Sequence, residues 1–109
     1  MATTYKVLGQ SNPAATTATT LYTVPSVTQA IVSTIAITNQ ASTAGTYRVS
    51  IRVAGAADAV KQYLAYDVSL PGNSTDTLTL GVTLGAADVI TVYSSSTSFS
   101  FNAFGSEIA

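Results

Sequence analysis

Thr46-Tyr47-Arg48-Val49-Ser50-Ile51-Arg52-Val53 alternates polar and apolar residues without a break. Side chains along an extended strand point to opposite faces in turn. Tyr47, Val49, Ile51 and Val53 therefore share one face, and Thr46, Arg48, Ser50 and Arg52 the other. A strand with one apolar and one polar face belongs to an antiparallel sheet covered on one side.

The flanking sequence repeats the pattern. Upstream, Gln29 to Thr38 places Ile31, Ile35 and Ile37 on one face with Ser33 interrupting them, and Asn39 to Gly45 supply a turn. Downstream, Gln62 to Leu70 sets Leu64, Tyr66, Val68 and Leu70 on one face and stops at Pro71-Gly72-Asn73. Thr75 to Leu84 opposes Leu78, Leu80, Val82 and Leu84 to a row of threonines. Val89 to Ser94 and Ser98 to Phe104 form a closing hairpin around Ser95-Ser96-Thr97. Thr3 to Gln10 and Leu21 to Val24 add two strands, the second stopped by Pro25. Between them Ser11 to Thr20 is low in complexity and holds Pro13, which marks an extended arm or connector. About eight strands with regular turn signals predict an all-β chain, residues 1–109 forming one antiparallel β-sandwich, jelly-roll-like or Ig-like.

The inventory of chemical groups limits function. The chain has no histidine and no cysteine, which removes the commonest general base and the thiolate metal ligand. Four cations (Lys6, Arg48, Arg52, Lys61) meet five anions (Asp58, Asp67, Asp76, Asp88, Glu107), a net charge of −1 with no basic field for nucleic acid. Charged residues are 8% of the chain against about 25% in an average soluble domain, with threonine and serine in their place. Such a surface has little charge repulsion to keep copies apart, and suits a domain covered by neighbours better than a free monomer. Met1-Ala2-Thr3-Thr4-Tyr5-Lys6 lacks the apolar stretch of a secretory signal, and no run approaches the ~20 apolar residues of a membrane-spanning helix. The expectation is a protein made in a cytoplasm and kept there unless a particle carries it out.

No residue earns assignment as catalytic, cofactor-binding or metal-ligating. A serine beside Lys6 or Lys61 carries no information in so hydroxyl-rich a chain, and Asp58 and Asp88 read as loop residues bonding their own turns rather than a paired acid and base. The carboxylates stand singly, unlike the clustered ligands of a calcium loop. Asn73-Ser74-Thr75 spells a glycosylation sequon that reads as a turn. Arg48 and Arg52 are expected to pair with acidic groups across an interface or to lie in solvent. Tyr5, Tyr22, Tyr47, Tyr63, Tyr66 and Tyr93 raise the possibility of sugar stacking, but Tyr47 and Tyr66 fall on apolar faces and read as core or interface residues. Gly55-Ala56-Ala57-Asp58 returns as Gly85-Ala86-Ala87-Asp88, each followed five residues later by a tyrosine (Tyr63, Tyr93). Two similar turns explain this better than a duplicated half-sandwich, because the flanking residues match poorly.

Tyr5-Lys6-Val7-Leu8-Gly9-Gln10, Leu21-Tyr22-Thr23-Val24-Pro25, Ile35-Ala36-Ile37-Thr38-Asn39 and Tyr47-Arg48-Val49-Ser50 together resemble a family of small structural proteins of tailed bacteriophages, especially cyanophages. The closing run through Asp88-Val89-Ile90, Val92-Tyr93, Phe99-Ser100-Phe101 and Phe104-Gly105-Ser106-Glu107 extends the resemblance over nearly the whole chain. It implies a non-enzymatic virion protein. One form is a capsid decoration or cement protein, contacting copies of itself (a trimer among the options) and the major capsid protein. Another is a tail, baseplate or fibre component, and a small carbohydrate-binding module is the rival from a different class. No cofactor, membrane or nucleic acid is expected as a partner.

Overall fold

The computed structural model describes residues 2–109. Nine strands form among them: β1 (Thr3–Ser11), β2 (Thr19–Thr23), β3 (Gln29–Asn39), β4 (Gly45–Arg52), β5 (Tyr63–Leu70), β6 (Ser74–Leu78), β7 (Val82–Leu84), β8 (Val89–Ser94) and β9 (Phe99–Ile108). Every pairing is antiparallel. The first sheet has the order β1-β9-β3-β6, with β7 paired to the other half of the same β3 edge. The second has the order β2-β8-β4-β5. With β6 and β7 end to end, eight strand positions fall into two four-stranded layers in jelly-roll order, which decides between the two sandwich types the sequence allows.

The core lies between the layers. Tyr47, Val49, Ile90 and Val92 from the second sheet meet Ile35, Ile37, Phe99 and Phe101 from the first, all nearly inaccessible to solvent. Tyr47 is its hub, with ring centroids 6.4 Å from Phe99 and 6.3 Å from Phe101 in tilted and edge-on geometry. Its hydroxyl escapes the apolar interior by donating to Asp76 Oδ2 at 3.0 Å. Tyr22 does the same towards Glu107 Oε2, and Lys6 Nζ closes on the other carboxylate oxygen at 3.0 Å.

Several expected faces are reversed, and the cause is the same each time. An extra residue in one strand of a pair, a β-bulge, shifts the alternation and sends later side chains to the opposite face. On β3 the register shifts between Val32 and Thr34, where Ser33 Oγ donates to the Phe104 carbonyl at 3.0 Å. Ile35 and Ile37 are core residues as expected, but Ile31 faces outwards and Ala30 and Val32 take the inner positions. On β5 three residues span what two span on β4, and Asp67 adopts φ +50°. Val68 and Leu70 stay on the inner side, while Leu64 and Tyr66, expected beside them, are exposed and Ala65 is buried instead.

The expected strand from Thr75 to Leu84 is two strands. Gly81, at φ +64°, breaks it, and Leu80 lies exposed in the gap. Val53 leaves the β4 alternation for a short 3-10 turn and is exposed.

Residues 12–18 connect the edge of one sheet to the edge of the other rather than projecting as an arm. Pro13 is buried, Asn12 Nδ2 donates to the carbonyls of Thr97 (2.8 Å) and Phe99 (2.5 Å), and Thr16 N donates to Ser94 O at 2.8 Å. The ends of the expected stretch, Ser11 and Thr19 with Thr20, are themselves strand residues.

Candidate functional site

Register on the second sheet builds a polar, aromatic outer face. Pairing of Arg48 with Tyr93 and of Ser50 with Thr91 puts these four side chains on one side, opposite the Val49–Val92 and Ile51–Ile90 core pairs. Tyr63 joins them from β5, opposite Ser50, and the bulge at Asp67 turns Tyr66 outwards beside Arg48. Arg48 consequently lies between strands that each offer it a ring. Its guanidinium carbon is 4.2 Å from the Tyr66 centroid and 4.1 Å from that of Tyr93, distances at which a ring's electron-rich face attracts a cation.

Asp67 fixes the guanidinium in plane, accepting from Nε at 2.6 Å and from Nη2 at 3.2 Å. This paired hydrogen bonding holds the Asp67 carboxyl below the usual carboxylate range and pushes the Arg48 guanidinium further up. Tyr63 packs edge-on against Tyr66 with centroids 4.9 Å apart and extends the aromatic surface. Within the chain, Arg48 therefore pairs with Asp67. Arg52 also stays within the chain, donating to Thr91 Oγ1 at 3.1 Å and to the carbonyls of Gly55 (3.3 Å) and Ala56 (3.2 Å).

Beside this cluster the 12–18 crossover and the loop carrying Asp58 wall off a groove of about 220 Å³. Tyr63 and Tyr93 line it together with Arg48, Ser50, Asp58 and Thr91. Ser50 is only 2% exposed and its side chain lines this groove. The outer face of the sheet thus combines aromatic walls, serine and threonine hydroxyls, one anchored cation and one carboxylate.

The first sheet presents the opposite chemistry. Its three charged residues (Lys6, Asp76 and Glu107) all sit in rows that turn to the inner side, as the pairs Lys6–Gly105, Ile37–Asp76 and Ala30–Glu107 show. Among the described residues its outward strand positions therefore carry no charged side chain: threonine, serine, asparagine and glutamine surround an apolar strip of Tyr5, Val7, Ile31 and Phe104, each exposed. Val7 and Phe104 are direct cross-strand partners, while Tyr5 and Ile31 flank Ser106 in one row.

The remaining sequence candidates are placed as follows. Asp88 staples loops, accepting from Gly85 N and from Ala54 N at 2.8 Å each, so the two Gly-Ala-Ala-Asp segments meet at one end of the sandwich. The turns are not equivalent, because Asp58 makes no such bond and lines the groove instead. Tyr63 and Tyr93, the tyrosines that follow the two segments, converge on that groove. Asn73, first residue of the sequon, holds a turn at φ +55° and donates its N–H to Ala41 O at 2.9 Å. Among the described residues no group of three or more carboxylates that could hold a metal occurs, and no helix is long and apolar enough to cross a membrane.

Sequence reasoning missed the Arg48–Tyr66–Tyr93 cluster because alternation assigned Tyr66 to the core. The signal that could have found it is Asp67, a charged residue inside an otherwise alternating strand and a type that tolerates the left-handed backbone of a bulge. Comparison with known proteins adds no assignment: no protein family, curated protein or solved structure matches this chain.

Proposed function

We propose that this chain is a non-enzymatic structural protein of a tailed-bacteriophage virion, a decoration protein that cements the capsid shell through the outer face of its first sheet. The observation that carries the reading is that, among the described residues, no charged side chain sits at an outward strand position of that face, with Tyr5, Val7, Ile31 and Phe104 exposed at its centre. Depletion of charge and enrichment of aromatic residues mark the cores of protein interfaces. A dehydrated contact over threonine and serine hydroxyls strands no ionic group, which would otherwise cost far more than it returned. The jelly roll is a fold that viral shells use, an argument from analogy that supports the reading without carrying it. The resemblance to small phage structural proteins points the same way.

Its partners on this reading are the major capsid protein and further copies of the chain. Copy number tests it against the tail, baseplate or fibre alternative: quantitative mass spectrometry of purified particles should find hundreds of copies, whereas a few dozen would assign the chain to the tail. Ile31→Lys puts a charge in the centre of the strip without touching the core, so the variant should fold normally and be lost from particles. Normal incorporation of that variant would refute the proposed contact face.

A further inference from the structure

We infer that the groove on the outer face of the second sheet binds a single neutral sugar ring, such as the terminal hexose or N-acetylhexosamine of a surface glycan. The inference stands apart from the virion reading, since it concerns the opposite face of the sandwich and rests on different residues.

Ser50 is the first reason. Its side chain is 2% exposed and faces outwards from the sheet at the floor of the groove. No buried side-chain polar atom among the described residues is left without a hydrogen-bond partner, so the Ser50 hydroxyl would serve a ligand through its further donor or acceptor capacity at the groove it lines. Its neighbour Thr91 accepts from Arg52 Nε at 3.1 Å, which leaves the Thr91 hydroxyl proton to donate. The two side by side offer a donor and acceptor pair of the kind that vicinal sugar hydroxyls complement.

Arg48 is the second. Asp67 takes Nε and Nη2, so the guanidinium is oriented and its charge balanced, while Nη1 remains as a donor. Asp58, without a hydrogen-bond partner among the described residues, adds an acceptor for two hydroxyls at the loop side. The lining therefore carries one balanced ion pair and one spare negative charge. That balance favours a neutral polyol and disfavours phosphate or a sialic acid.

Tyr63 and Tyr93 supply the remaining element. Arg48 covers one face of Tyr93, so the faces left to accept the polarised C–H groups of a pyranose ring are those of Tyr63 and the other side of Tyr93. The groove's 220 Å³ lies below the ~300–1,000 Å³ of drug-sized ligand sites, which limits the occupant to one ring of a longer chain. A site this small binds one ring weakly, with a dissociation constant on the order of 1 mM.

The test is two-dimensional ¹H–¹⁵N NMR of the full chain titrated with methyl glycosides of glucose, galactose, mannose and N-acetylglucosamine to about 10 mM, roughly ten times the expected constant. Saturable shifts confined to Ser50, Asp58, Thr91, Tyr93 and the 16–18 backbone are expected with at least one of them. Asp58→Asn and Ser50→Ala should each weaken that binding by about tenfold, the equivalent of one lost hydrogen bond, while the thermal midpoint of Asp58→Asn stays unchanged. The inference is overturned if all four glycosides leave these resonances unmoved, if the shifts map elsewhere, or if both variants bind as the wild type does. Preferential binding of inorganic phosphate or of sialic acid would overturn it as well.

Discussion

Replacing Asn39 by alanine should cost about 3 kcal/mol, a substantial part of the ~5–15 kcal/mol that stabilises a domain of this size. Asn39 ends β3 fully buried, where three turns meet. Its amide nitrogen donates to Thr43 O at 2.9 Å and to Leu70 O at 3.2 Å, and its Oδ1 accepts from Ala41 N at 3.0 Å and Ser98 Oγ at 3.0 Å. The side chain so ties the β3–β4 turn to the ends of β5 and of the β8–β9 hairpin. Alanine removes all of these bonds, together with a longer one from the amide to the Pro71 carbonyl at 3.4 Å. Ser98 keeps Ser96 Oγ at 2.7 Å as an alternative, so the principal losses are the Ala41 N–H and the Thr43 and Leu70 carbonyls.

At ~1–3 kcal/mol per group left unpaired, with water reaching part of this rim, the sum is about 3 kcal/mol. That corresponds to a fall of about 10–20 °C in the thermal midpoint by circular dichroism. Asn39→Asp sharpens the test. Its carboxylate would face the Thr43 and Leu70 carbonyls with no proton to give, so the folded state would raise its pKa above the ~3.9 of an unfolded aspartate. The protonated acid can donate to one carbonyl. Stability of this variant relative to the wild type should therefore be greatest at acid pH and decline as pH rises through the carboxylate range. A fall of less than about 4 °C for Asn39→Ala, or no pH dependence in Asn39→Asp, would refute the claim that this amide holds the three turns together.

Gly105→Ala should destabilise by at least ~2 kcal/mol in urea denaturation, because its Cβ would stand 1.9 Å from the Ile31 carbonyl oxygen at the β3–β9 bulge. Gly81→Ala meets nothing within 4 Å and carries only the ~1 kcal/mol cost of its positive φ, so the reverse order of midpoints would contradict the packing of that bulge. Burial, then the hydrogen bond to Asp76, pushes the Tyr47 phenol up to about 12, and burial with Glu107 raises Tyr22 further. Unfolding frees both to ionise near ~10, so stability should fall as pH rises past that value. In an ultraviolet titration two of the six tyrosines should ionise only as the fold is lost, and their ionising in the native state would disprove their burial. At the acid end, the lowered carboxyls of Glu107 (held by Tyr22 and then Lys6) and Asp67 (held by Arg48) predict stability lost as pH falls through the carboxylate range, visible as an acid shift of the urea midpoint.

How far the sequence reaches can be judged strand by strand. On β4 and β9 alternation runs unbroken, and Tyr47, Val49, Phe99, Phe101 and Ala103 lie inside where period two puts them. On β3 and β5 the same rule misplaces Ile31, Leu64 and Tyr66, since a bulge is set by how two strands settle against each other over long sequence separations. The candidate groove was still less legible. Ser50, Asp58, Tyr63, Thr91 and Tyr93 come from four segments, and only the β8-β4-β5 order puts them on one surface.

By itself the sequence determined an all-β sandwich, its strand-forming segments and a surface poor in charge, because these follow from side-chain periodicity and composition. Tertiary structure alone decided the jelly-roll order, the uncharged outer face of one sheet and the aromatic groove on the other. Each depends on which strands pair and in what register, and a one-residue shift in that register moves a side chain from the core to solvent.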